Sequence, residues 1–194
     1  MRTFLSANIL AVLVLFGGAA FAQKGDLALG FGTLVSTPSA QASGNYAPQS
    51  IGGGLYTTFS VNFLLRHNLG VSGEFSWRDG RNLYEGYEPF RPLFYDLNGL
   101  YSRRLGKYLG VEAMGGIGAA STRFYSGSYT CNFITCTDYV SSTHFMGHFG
   151  GGVKLYVHGN FFIRPEAHVY LIHNNNEFSS GRVERVGASI GYTF

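Results

Sequence analysis

The side chains best equipped for chemistry are ionisable groups set at alternating positions: Glu74 and Arg78, Asp96, Glu112, Lys154, then Arg164, Glu166 and His168, and finally Arg185. Glu112, Glu166 and His168 could together do acid–base work or pass ions. Nothing beside them marks out a substrate pocket. The same groups can equally neutralise one another as a structural ion-pair network. His144 and His148 stand four residues apart, which on a strand is about 13 Å. That is too far to share one metal, and a polar lining or rim role suits them better. Cys131 and Cys136 are the only cysteines. They lack further Cys or His at ligand spacing, so a metal centre is not indicated. An exported chain favours a disulfide between them, pinning the tip of one loop. No cofactor is implied.

His173-Asn174-Asn175-Asn176 resembles the outer-membrane lipid A deacylases, in which a catalytic His is followed closely by a nucleophilic Ser and an Asn. Here Asn175 stands where that Ser is expected, and an amide cannot replace a hydroxyl nucleophile. Ser179 and Ser180 lie on a predicted loop at the wrong spacing. The stretch therefore reads as the polar entry to a loop, and no enzyme is expected.

The elements that must position these groups alternate with period two, the signature of strands with two different faces. Eight such segments run from about Asp26 to Ser36, Ser50 to Leu64, Leu69 to Arg78, Leu93 to Arg103, Tyr108 to Phe124, Thr143 to Val157, Phe161 to Ile172 and Arg182 to Phe194. Each aligns apolar residues on one face, such as Leu27, Leu29 and Phe31, or Phe161, Ile163, Ala167 and Val169. The charges fall on the opposite face. Turns at Arg66-His67-Asn68, Leu105-Gly106-Lys107 and His158-Gly159-Asn160 are short. The connections over Thr37–Gln49, Asp79–Pro92, Tyr125–Ser142 and His173–Gly181 are long and polar. Pro38, Pro48, Pro89 and Pro92 fall in or beside them. Pro165 falls mid-strand and implies a bulge or a missing ladder bond.

Residues 1–22 read as a cleaved secretory signal peptide, with Arg2, an apolar run from Ile9 to Phe16, and Ala20-Phe21-Ala22 at the cut. The rest, 23–194, forms one domain. Charged residues make up 13% of the chain, against 28 Gly, 13 Tyr and 17 Phe. Such a mixture suits strands with one face to lipid and one to a filled interior. Gly116, Gly118, Gly150 and Gly152 would let long charged side chains cross that interior. The net charge of +3 includes no basic block, so nucleic acid is not an expected partner. Phe63, Trp77, Tyr101, Tyr108, Phe124, Phe161, Tyr192 and Phe194 lie near strand ends, as aromatic girdles do. Tyr84, Tyr87, Phe90, Tyr125, Tyr129 and Tyr139 lie in long connections and could meet an extracellular partner.

The final stretch, Val186 to Phe194, alternates apolar with small residues and ends on Phe194. It resembles the closing strand of bacterial outer-membrane β-barrels of the OmpA-barrel and OmpX type. That resemblance implies an all-β fold, an eight-stranded antiparallel up-and-down transmembrane β-barrel in the outer membrane, surrounded by its lipid. It also implies insertion by the barrel assembly machinery, with Ile190, Tyr192 and Phe194 as the recognised residues. A monomer with a structural, adhesion or surface-interaction role at its long loops is expected. The alternatives are a barrel enzyme acting on lipids and a soluble secreted barrel binding an apolar ligand. The soluble barrel requires charges outside and apolar side chains within.

Overall fold

A computed structural model describes residues 24–36, 49–131 and 136–194. The expected signal peptide, Pro38 and Pro48 lie outside the described residues. The strands are β1 (Lys24–Val35), β2 (Tyr56–Arg66), β3 (Leu69–Arg78), β4 (Asn82–Tyr84), β5 (Glu88–Arg104), β6 (Leu109–Cys131), β7 (Cys136–His158), β8 (Phe161–Ile172) and β9 (Arg182–Thr193). Each long strand pairs antiparallel with its neighbours in sequence, and β1 pairs with β9. The β3–β5 ladder completes the ring. The result is a closed eight-stranded up-and-down barrel, with β4 as a short extra strand outside the ring. At the seam, Phe194 N–H donates to Gly25 O at 2.9 Å and Gly25 N–H donates back at 3.1 Å.

The bounds of β3 and β8 fall where the alternation places them. Three connections differ. β2 begins at Tyr56 rather than near Ser50. The connection after β3 folds as a hairpin, with β4 paired to the first residues of β5 at Leu83 and Pro89, and Pro92 also lies within β5. The stretch expected as a loop from Tyr125 to Ser142 is largely ladder, because β6 and β7 run past the ring as a two-stranded ribbon. Its tip pairs Cys131 with Cys136, which form the disulfide. The segment is polar, and that reads as loop. It is also rich in Thr, Tyr and Val, which favour strands wherever a partner strand is at hand.

Pro165 interrupts pairing without shifting it. Gly152 faces Glu166 and Leu155 faces Ile163 in one register, and the two positions between them make no ladder pair. On its other side Pro165 pairs normally with Ala188. The missing N–H therefore costs ladder bonds to β7 alone.

The outside of the ring is greasy. Leu29, Phe59, Leu97, Ile117, Phe145, Phe149 and Ile190 all point outward and are exposed. A continuous apolar surface of this extent is untenable in water and normal in hydrocarbon, where a closed barrel satisfies every backbone group internally. The arrangement is the reverse of what a soluble ligand-binding barrel requires. Phe161 and Tyr192 pack edge to face at 4.8 Å near the turn end, and Phe75 and Trp77 lie 5.3 Å apart near the loop end.

Candidate functional site

The interior is layered. Under the outer loops, Leu34, Ile51, Tyr56, Phe90, Phe94, Met146, Tyr170, Phe178 and Val183 form a buried apolar cluster, with Tyr84 and Phe124 against it. Phe124 thus belongs to this stopper and not to a girdle, and Tyr84 and Phe90 face inward instead of out to a partner. The inward turn of Phe124 follows from its parity, since the outward residues of β6 are the odd-numbered Leu109 and Ile117. Tyr84, Phe90 and Phe178 meet at ring separations of 5.3 to 6.1 Å.

Below the stopper sits the charged layer. Arg164 donates from Nη1 to Glu112 Oε1 and from Nε to Glu166 Oε2, both at 2.8 Å. The Nε–H is shared with Ser189 Oγ, and Nη2 donates to Ser60 Oγ. Lys154 joins Glu112 to Asp26, the latter at 2.5 Å. Arg185 Nη2 bridges Glu74 at 2.6 Å and Glu166 at 3.2 Å. The Tyr170 hydroxyl also donates to Glu74. The charged side chains come from six different strands, so the layer ties walls that share no ladder. Glycines make the room. A Cβ on Gly150 would lie 2.3 Å from His168 Nδ1, and one on Gly152 would lie 2.9 Å from Arg164 Cγ.

The structure therefore brings together Glu74, Glu112, Lys154, Arg164, Glu166, His168 and Arg185. Asp96 enters through His148, whose Nδ1 lies 3.1 Å from Asp96 Oδ1. Arg78 stands apart from the network expected for it. Among the described residues it forms no ion pair, and its guanidinium lies 6.0 Å from the Phe90 ring centre, up in the apolar layer. It is the last residue of β3, one turn of the pleat too high to reach the carboxylates. Asn98 lies inward beside Asp96 as its parity predicts, whereas Asp26 and Asn62 belong to the layer beyond the sequence expectation. Asp26 carried a readable signal, because its parity is opposite to that of Leu27 and Leu29.

His148 and His144 do not act together. His148 is fully buried and donates or accepts at 2.9 Å to His168 on the neighbouring strand. His144 lies at the outer rim, where its Nε2 is 2.8 Å from Glu177 Oε2 and 3.0 Å from Ser142 Oγ. Ser142 in turn donates to Glu177 Oε1 at 2.5 Å. Partial burial raises the Glu177 carboxyl, but the Ser142 hydrogen bond and the adjacent His144 ring outweigh it and hold the group below its ordinary value. In the His173 stretch, Asn175 donates to the Ser180 carbonyl at 2.8 Å.

Outside the ring, the ribbon carries a stacked polar–aromatic face. The Arg81 guanidinium lies 3.6 Å from the Tyr125 ring centre, Arg123 lies 4.8 Å from that of Tyr139, and the two tyrosines pair at 5.8 Å.

No protein-family model matches the chain, and no curated protein matches it. Solved structures do. Ail, the attachment invasion locus protein of Yersinia pestis, solved with the heparin analogue sucrose octasulfate, is 14% identical over 88% of this chain and 98% of that one, with a TM-score of 0.57. Neisserial surface protein A is 11% identical over 88% and 96%, with a TM-score of 0.61. The N-terminal β-barrel domain of Pseudomonas aeruginosa OprF is 14% identical over 89% and 99%, with a TM-score of 0.53. At such identities the likeness is one of fold.

Proposed function

Starting from a small barrel of the outer-membrane fold with its apolar side turned outward, we propose a non-enzymatic integral protein of the bacterial outer membrane that engages a partner through its loop end. The carrying observation is the ribbon. Strands of 23 residues each run well past the length that crosses a membrane, about 9–11 residues when tilted, and end at a disulfide. A hairpin pinned at its tip, with Arg81, Arg123, Tyr125 and Tyr139 stacked along it, offers rigid amphipathic contact area at low ordering cost. The likeness to Ail, an attachment invasion locus protein, supports a surface role without naming a partner for this chain.

A non-enzymatic reading is supported by the rim cluster. Ser142 and Glu177 both meet the same nitrogen of His144, whereas a catalytic base needs its carboxylate on the opposite nitrogen. We also propose insertion by the barrel assembly machinery through Ile190, Tyr192 and Phe194, which all lie on the exposed outer face.

The test replaces residues 126–138 with a two-residue turn. Barrel folding is followed by heat-modifiability on gels, and adhesion of cells displaying each form is counted. Loss of adhesion with an intact barrel supports the reading; unchanged adhesion removes it. Fatty-acid release from lipid A or phospholipid by the purified protein would establish the lipid-directed enzyme instead.

A further inference from the structure

We propose that Glu74, His148 and His168 form a binding site for a divalent transition-metal ion such as zinc inside the barrel. It is independent of anything the loops bind. One oxygen of Glu74 and one ring nitrogen from each histidine lie within 4.8 Å of one another, and all three residues are buried.

His148 Nδ1 faces two acceptors, Asn98 Oδ1 at 2.9 Å and Asp96 Oδ1 at 3.1 Å. Asn98 is oriented by donating its own Nδ2 to Asp96. His148 Nδ1 is therefore protonated, and its Nε2 presents a lone pair. His168 Nε2 is buried with no hydrogen-bond partner among the described residues, Glu166 Oε1 lying 3.7 Å away. His168 Nδ1 lies 2.9 Å from His148 Nε2, a contact that either an Nδ1–H or a cation held between the two nitrogens satisfies. With metal–nitrogen bonds of ~2.05 Å that separation is a bite angle of roughly 90°. A histidine whose outer nitrogen donates to a carboxylate, as His148 Nδ1 does to Asp96, is oriented as a ligand and made more basic.

Among the described residues, five buried carboxylates (Asp26, Glu74, Asp96, Glu112 and Glu166) face three permanent cations (Lys154, Arg164 and Arg185). An uncompensated pair of negative charges in a closed interior is costly. A single proton shared between the rings supplies one charge, and a divalent ion supplies both. Arg185 and Tyr170 occupy Glu74 Oε1, while Glu74 Oε2 is buried with no hydrogen-bond partner among the described residues. Two imidazoles and a carboxylate are a ligand set for zinc and its neighbours. Such an ion would bolt β3 to β7 and β8, across the barrel.

The full chain is refolded into detergent with a chelator, dialysed, and titrated with Zn2+ and with Co2+ as a spectroscopic probe. One ion per barrel is expected, with a visible Co2+ band. His148→Gln and His168→Gln are each expected to weaken binding at least about a hundredfold, and Asp96→Asn about tenfold. Folding of each variant is checked by heat-modifiability. If a variant fails to fold, X-ray absorption on the wild-type Co2+ form decides between two imidazoles with a carboxylate and some other set. No retained metal, metal retained equally by the histidine variants, or a different ligand set overturns the proposal. In the first case the histidine pair holds a proton instead.

Discussion

Arg164 and Glu112 sit on β8 and β6, 52 residues apart in sequence, and meet across the interior at 2.8 Å. Neither is more than a few per cent exposed. Their contact joins strands that are not neighbours in the ring.

Replacing Arg164 by Ala should therefore destabilise the barrel far more than deleting a surface ion pair would. It takes one of two counter-charges from each of two buried carboxylates, leaving Glu112 to Lys154 and Glu166 to Arg185, which costs about 3–5 kcal/mol. Urea unfolding in detergent would read this as a lowered midpoint. The exposed pair of Arg182 and Glu184 at 2.5 Å is the control, and Arg182→Ala should cost about 0–1 kcal/mol.

The outer face gives a second expectation. Ile117 projects from the middle of the barrel wall and is 60% exposed. Ile117→Arg should cost about 2–4 kcal/mol at the bilayer midplane. Val140→Arg, on the ribbon beyond the ring, should be close to neutral. Equal costs in lipid for the two would contradict a membrane around the ring.

The disulfide should matter locally. Cys131 and Cys136 are five apart in sequence, so the bond removes only about 2 kcal/mol of closure entropy from the ribbon. Cys131→Ser is expected to leave the unfolding midpoint of the barrel unchanged. Limited proteolysis should then cut the ribbon tip faster.

Acid should loosen one loop before the barrel. The Glu177 carboxyl is held below its ordinary value by Ser142 and His144, against the upward pull of partial burial. A depressed folded value contributes stability that is fully present above the unfolded carboxylate range and is lost as pH falls through the folded value. Hydrogen exchange of residues 173–181 should speed up as pH falls below the ordinary carboxylate range. Glu177→Gln should remove that pH dependence. The effect is small because the group stays partly open to solvent.

Small residues on the inner face carry a further expectation. At Gly150 a methyl group would collide with His168. Gly150→Ala should therefore displace the His148–His168 contact and lower the midpoint by about 1–3 kcal/mol, measured as for Arg164.

Much of this was legible in the sequence because a strand has only two faces. Once Leu27, Leu29 and Phe31 are placed outside, the parity of Glu112, Glu166 and Arg185 turns them inward. Their partners were not legible. Which cation meets which carboxylate depends on how far each strand is staggered around the ring, and single-strand periodicity holds no record of that. His148 illustrates it. Its sequence neighbour His144 is far away, and its contact is His168, brought alongside by the β7–β8 register. Arg78 shows the complementary limit, since a correct face at the wrong height leaves it among rings. The ribbon was hidden for a third reason. Polar strand formers such as Thr137 and Tyr139 look like loop until a partner strand runs beside them.

The aromatic stopper fixes the shape of the loop end before any visitor arrives. Tyr84 on the β4–β5 hairpin and Phe178 from the connection after β8 are clamped together, and the Tyr84 hydroxyl donates to the Glu177 carbonyl at 2.8 Å. Gln49 adds a latch by bonding Leu83 and Glu85. Segments from three separate connections thus move as one lid of rings. The configurational freedom that docking normally extinguishes has already been given up when the chain folds, so recognition there should be quick and shape-selective, with little rearrangement on contact.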